Sequence, residues 1–198
     1  SNSCNSISIS YDGNTVIQGY EDGYSSNYNQ PEGSVTAFEW NGTFWTTKGY
    51  YPHMHGDSHG DQFGCDISVS SDGKVIAIGE KGADGINDSK TESGGARVFH
   101  LINGLWSQKG QTLYGENPYD KFGTKVSLTK KGNRLAVSAP NNDGNGSNSG
   151  HVRIFDWFGN EWVQIGEDID GEFQEDQSGR AISIVNDKVA IGAPSNGN

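Results

Sequence analysis

A chain of 198 residues with 32% apolar side chains and 29 glycines has the length of one ordinary domain but not the composition of a helical one. Glycine opposes helix by ~1 kcal/mol per residue relative to alanine, and the apolar set leans toward Val, Ile, Phe, Tyr and Trp, which suit pleated strands. A formal charge of −11 argues against nucleic acid and anionic lipid as partners, since both demand Lys/Arg clusters, and no apolar run approaches the ~20 residues of a membrane helix.

In chain order, the first strand pattern is Ile7-Ser8-Ile9-Ser10, ahead of an Asp12-Gly13 turn. A later strand carries Phe38, turns at Asn41-Gly42 and reaches Trp45 and Gly49. Asp61-Gln62-Phe63-Gly64 then opens a second copy: strand Ile67-Ser68-Val69-Ser70, turn Asp72-Gly73, a strand ending at Gly79-Glu80, then Phe99, turn Asn103-Gly104, Trp106 and Gly110. Asp120-Lys121-Phe122-Gly123 opens a third: Val126-Ser127-Leu128-Thr129, Lys131-Gly132, Ser138-Ala139-Pro140, Phe155, Trp162 and Gly166. Asp176-Gln177-Ser178-Gly179 opens a fourth, through Ile182-Ser183-Ile184 and Asn186-Asp187 to Gly192-Ala193-Pro194.

In each full copy Trp follows Phe by seven residues and Gly follows Trp by four. Asp-Gly and Asn-Gly supply the positive φ of two-residue hairpins, so each copy reads as a four-stranded antiparallel meander. The expected fold is all-β: a β-propeller of about three and a half blades, in units 1–60, 61–119, 120–175 and 176–198. Half a blade leaves sheet edges open, so further blades from the same or another chain are expected to close the ring. Met54 is the only methionine and is internal, so no initiator or signal peptide is visible and the chain reads as a processed piece. Cys4 and Cys65 are either one bridge or two free thiols.

Phe-Gly followed by Gly-Ala-Pro resembles the FG-GAP repeat of the integrin α-subunit propeller and its relatives in surface and secreted proteins. The resemblance covers essentially the whole chain and implies a propeller of usually seven blades with ligands on one face. In calcium-binding members the turn between the first two strands is an Asp-rich loop. Here it has shrunk to Asp12-Gly13, Asp72-Gly73, Lys131-Gly132 and Asn186-Asp187, so that calcium site does not carry over. Ser178 in place of Phe, Ser138 in place of Gly and Glu80-Lys81 in place of Ala-Pro mark a divergent branch.

In such a blade the 2–3 loops (20–33, 80–95, 140–150) and the crossings to the next blade (50–62, 111–122, 167–178) share one face. They hold 18 of the 25 acids and only Lys81, Lys90 and Lys121 of the 14 bases. A one-signed rim concentrates cations and steers basic partners, so Asp22, Asp84, Asn142, Asp143 and Asp176 are candidates for a ligand-binding face.

Within it, Glu116 with Asp120 and Glu172 with Asp176 repeat a Gly-acid-x-x-x-Asp pattern, also seen at Asp57 and Asp61. Such pairs either hold Ca²⁺ or cap turn amides, and repetition in every blade favours the cap. Asp143 and Asn145 begin an alternating oxygen-bearing loop without a distal bidentate acid, to be weighed against a plain Asn/Gly loop. His53, His55 and His59 alternate with Asp57 and Asp61 and would share one side of an extended crossing, as a Zn²⁺-type site needs, in one blade only.

Trp45, Trp106 and Trp162 hold a fixed blade position and are read as packing between sheets. Trp40 and Trp157, off the repeat register, and Tyr24, Tyr28, Tyr50 and Tyr51 are the better aromatic candidates for ligand contact. The sequons at Asn41, Asn87 and Asn145 agree with an extracellular or cell-surface setting. The expected function is a non-catalytic adhesion or recognition module that binds protein or glycan, with calcium assistance. A ligand-free structural propeller and an accessory propeller of a surface hydrolase are the alternatives. Against catalysis, Asp72-Gly73 continues with Lys-Val-Ile, without the Trp of the sialidase-type Ser-x-Asp-x-Gly-x-x-Trp box.

Overall fold

A computed structural model describes residues 6–23 and 32–196. In the first sheet β1 (Ser6–Ile9), β2 (Thr15–Tyr20), β3 (Ser34–Trp40) and β4 (Trp45–Thr47) form an antiparallel meander, and β5 (His53–His55) pairs with the other half of β3. The second sheet repeats this with β6 (Phe63–Val69), β7 (Val75–Glu80), β8 (Gly95–Ile102), β9 (Leu105–Gln108) and β10 (Leu113–Tyr114). The third does so with β11 (Lys125–Leu128), β12 (Arg134–Ala139), β13 (His151–Phe158), β14 (Glu161–Gln164) and β15 (Ile169–Asp170). A hairpin of β16 (Ala181–Val185) and β17 (Lys188–Gly192) begins a fourth. The fourth strand of each full blade is therefore in two pieces, parted near Gly49, Gly110 or Gly166, all at positive φ.

The cores lie between sheets. Alternation sends Ile17, Val35 and Ala37 of the first sheet onto Ile76, Ile78, Phe99 and Trp106 of the second. Ala77, Ala96 and Val98 of the second meet Leu135, Val137, Phe155 and Trp162 of the third, whose Ala136 and Val152 meet Ile182 and Ile184 of the fourth. Both faces of a middle sheet are buried, which is the stacking of propeller blades. The ring is open: the outward face of the first sheet, with Val16, Gln18, Phe38 and Trp45, has no sheet against it among the described residues.

Three devices join neighbouring sheets. Along the innermost strands Ser8, Ser68 and Ser127 accept the backbone N–H of Val69, Leu128 and Ile184 in the next sheet, at 3.2, 3.0 and 3.1 Å. Those N–H groups lie on an edge their own sheet cannot satisfy, so a hydroxyl replaces a missing strand.

At the Phe-Gly step the backbone of Gly123 lies directly against Gly79, where any Cβ would collide with the Gly123 carbonyl. The Phe-Gly of one blade and the terminal glycine of the preceding blade's second strand are thus two halves of one contact. Gly19 meets Gly64 in the same way.

On the outer strand the indole N–H of Trp106 donates to the Lys48 carbonyl at 2.9 Å, and that of Trp162 to the Lys109 carbonyl at 2.8 Å. Each ring lies over the glycine of the preceding blade, Gly49 or Gly110. Trp45 departs from the expected packing. It is 43% exposed and rests on Trp40, ring centroids 5.6 Å apart, because no described sheet offers it a carbonyl and a glycine. Trp157 belongs to the third sheet's joint, beside Trp162 and under the Lys109 ammonium. Cys65 is a buried free thiol, pushed up to about 12 by that burial, and Cys4 lies outside the described residues.

Candidate functional site

The 2–3 loops and the crossings do meet at one end of the blades. Gly82 N–H donates to the Asp61 carbonyl at 3.0 Å, Phe122 N–H to Ser93 at 2.9 Å, and Glu175 N–H to Ser147 at 2.7 Å. The hairpin turns gather at the opposite end with the bases: Lys48 Nζ donates to Thr15 Oγ1 at 2.6 Å and Lys109 Nζ to the Gly132 carbonyl at 2.9 Å.

Many acids of the loop face are committed to their own backbone. Asp61 Oδ2 accepts from Asp57 and Ser58 N–H at 3.1 and 2.8 Å. Asp120 Oδ2 accepts from Asn117 N–H and the Asn142 amide at 3.0 and 2.9 Å, and Asp176 Oδ2 from Phe173 N–H at 2.8 Å. All three aspartates are buried, and burial holds Asp61 above its ordinary value although its hydrogen bonds oppose this. The repeated acid pair therefore divides its work: the second member caps the turn, while Asp57, Glu116 and Glu172 stay exposed.

Asp84 Oδ1 accepts from Glu92 N–H at 2.7 Å and Asp143 Oδ1 from Asn148 N–H at 2.8 Å, and the Asn145 amide donates to the Gly171 carbonyl at 2.9 Å. The 142–149 loop thus uses these side chains on its own backbone and on the neighbouring crossings. Asp22 is exposed beside Glu21, which pairs with Lys81 at 2.6 Å. Tyr50 and Tyr51 are exposed, and Tyr24 and Tyr28 lie outside the described residues.

The histidine row does not stay extended. His53 and His55 end β5, the chain turns at 57–60, and His59 is exposed in that turn. His53 Nδ1 lies 2.9 Å from Thr36 Oγ1, and His55 Nδ1 lies 3.9 Å from Glu32. Asp57 instead reaches 3.1 Å to the buried Arg97, which also contacts Glu80 and lies over the Phe63 ring. Burial pushes the Glu80 carboxyl up to about 7 against the pull of Arg97. The guanidinium is itself held above its usual range, because Glu80 and Asp57 outweigh its own burial.

Sequence reasoning passed over a group that the fold assembles between the second and third blades. His151 opens β13, opposite Asp170 in register, with Asp168 just before β15 and Glu116 on the crossing from the second blade. One donor atom each from Glu116, His151 and Asp168 lie within 4.8 Å of one another, and His151 Nδ1 is 3.2 Å from Asp168 and 4.0 Å from Asp170. His151 is 1% exposed; burial lowers its basicity although Asp168 pulls the other way. The only sequence signal was that these residue types do not repeat: Ser34 and Gly95 stand opposite the partners of the other two blades as His151 does here.

The FG-GAP repeat family matches residues 113–155, from β10 to the middle of β13, across the Phe122-Gly123 joint. The chain has a β-propeller-like fold and carries an FG-GAP repeat at residues 113–155. No curated protein matches it by sequence. Among solved structures it is similar to one from Bacteroides uniformis named as a 6-phosphogluconolactonase, with a TM-score of 0.55 at 13% identity. The likeness covers 91% of this chain and 44% of that one, so this chain spans less than half of its neighbour's length. At that identity the likeness carries the blade architecture alone.

Proposed function

We propose that this chain is a non-catalytic recognition module of an extracellular or cell-surface protein, in which further blades complete the ring and the loop face binds a basic protein segment or a glycan. The observation that carries this reading is the sorting of charge, with 18 of 25 acids in the loops and crossings that converge at one end. After the capping aspartates are set aside, Asp88, Glu167 and Glu172 still stand exposed there without an ion pair among the described residues. Loops held on a rigid blade stack are where binding residues concentrate, and a one-signed rim steers a cationic partner.

The neighbour's name suggests a competing reading, hydrolysis of a phosphorylated sugar lactone. A phosphate group would meet an unfavourable potential at this face, which favours the recognition reading. The test is binding to an immobilised oligolysine peptide and to an array of neutral oligosaccharides at low and physiological salt. The peptide arm is expected to weaken with salt and with Asp88→Asn, Glu167→Gln and Glu172→Gln combined. Retention unaffected by either, together with no glycan binding, removes the proposal.

A further inference from the structure

We propose that Glu116, His151 and Asp168 bind a divalent transition-metal ion of the Zn²⁺ class and so clamp the crossing from the second blade to the outer strand of the third. The inference stands apart from partner binding at the loop face, since it rests on a different set of side chains.

The first support is the donor set. An imidazole nitrogen and two carboxylate oxygens from separate segments already lie within 4.8 Å of one another, with Asp170 as a further oxygen 4.0 Å from the ring. Nitrogen with carboxylate oxygen is the mixed set that borderline ions take, whereas Ca²⁺ prefers oxygen throughout. Tetrahedral Zn²⁺ with bonds of about 2.0–2.2 Å needs donors roughly 3.5 Å apart, so the group must contract by about 1 Å. Glu116 can supply that movement, being exposed and 3.9 Å from Arg153, beyond hydrogen-bonding reach.

The second support is the state of His151. The ring is 1% exposed and turns Nδ1 toward both aspartates, 3.2 Å from Asp168 and 4.0 Å from Asp170, so the nitrogen that would bind the ion already faces the carboxylates.

The third support is charge. Glu116 and Asp168 lie 3.9 and 3.8 Å from one guanidinium, Arg153, and Asp170 stands 4.0 Å from the His151 ring; with the Lys90 ammonium on the Glu116 carbonyl, three carboxylates face two cations and one negative charge is left over. Close carboxylates with uncompensated charge are stabilised by a further cation.

Finally, architectural positions recur in this chain and this combination does not. In the second blade the exposed acid Asp57 reaches Arg97 directly at 3.1 Å, with Gly95 where the third blade has His151. In the third blade Arg153 turns to Gln164 at 2.8 Å, and the corresponding acid, Glu116, is left facing the histidine.

Titration calorimetry of the whole chain with ZnCl₂ tests the assignment. One equivalent is expected to bind and to raise the unfolding temperature, and both Glu116→Gln and Asp168→Asn should weaken that binding by about 10-fold or more. Glu172→Gln, the repeat-equivalent of Glu116 on the next crossing, should leave it unchanged. The two ligand variants alter exposed or half-buried side chains, so they keep the test open where substitution of buried His151 would disturb folding. Absence of saturable binding, equal loss in Glu172→Gln, or tighter binding of Ca²⁺ than Zn²⁺ would each overturn the proposal.

Discussion

Trp162 and Trp45 occupy the same place in their blades, seven residues after a phenylalanine and four before a glycine, yet one is 2% exposed and the other 43%. Trp162 lies on Gly110 and donates to Lys109, whereas among the described residues Trp45 rests on Trp40 of its own blade. A repeat residue therefore earns its energy from the neighbouring blade rather than from its own. Trp162→Ala is expected to destabilise the chain by about 3–5 kcal/mol and Trp45→Ala by less than about 1, measured by urea unfolding. Equal losses would mean that another surface covers the first sheet in solution.

The glycines beneath the tryptophans sharpen the same contrast. Gly110 and Gly166 have similar backbones, φ +83 and +73, but a Cβ on Gly110 would come within 2.9 Å of Trp162, and one on Gly166 would meet nothing within 4 Å. Both alanine variants carry the cost of a left-handed backbone, roughly 1 kcal/mol, and only Gly110→Ala adds a displaced indole. We expect Gly110→Ala to cost about 2–3 kcal/mol and Gly166→Ala about 1.

The inner strands offer a milder version. Ser127 Oγ accepts the Ile184 N–H at 3.1 Å, while the matching Ser183 on the last hairpin is exposed. Ser127→Ala should cost about 1–2 kcal/mol by stranding that donor, and Ser183→Ala close to nothing. Amide exchange at Ile184 reads the effect directly, since the hydroxyl is the cap on that N–H.

These joints explain what the sequence could and could not tell. The Phe, Trp and Gly spacings were legible because every blade meets a neighbour in the same geometry, so a packing requirement appears as a period. The charge sorting was legible for the same reason, as loops of one kind emerge at one end. The recurrent serines were visible in Ile-Ser-Ile-Ser and Val-Ser-Leu-Thr, but their target is an N–H some sixty residues away, which no local pattern names. His151, Asp168 and Glu116 were harder still: they occur once, on three segments, and only the pairing of β13 with β15 brings two of them together. The histidine row at 53–59 misled for the converse reason, since its alternation is local and the chain turns before it can be used.

The joints of the second and third sheets also differ in one buried charge, and this gives the prediction with the least structural disturbance. Arg97 and Arg153 hold the same place over paired phenylalanines, but the end of the neighbouring strand is Glu80 in one sheet and Ala139 in the other. Burial raises the Glu80 carboxyl from 4.5 to about 7. Between those values the folded chain holds a proton that the unfolded chain has lost, so the slope of stability with pH is negative there. The contribution is complete below about pH 4.5 and fades as pH rises through about 7. Urea midpoints between about pH 5 and pH 8 should therefore carry a falling component that Glu80→Gln removes, because the amide is neutral throughout and Asp57 still pairs with Arg97. Should the component survive Glu80→Gln unchanged, the carboxyl is ionised in its pair with Arg97 at neutral pH, and the two joints differ in packing alone.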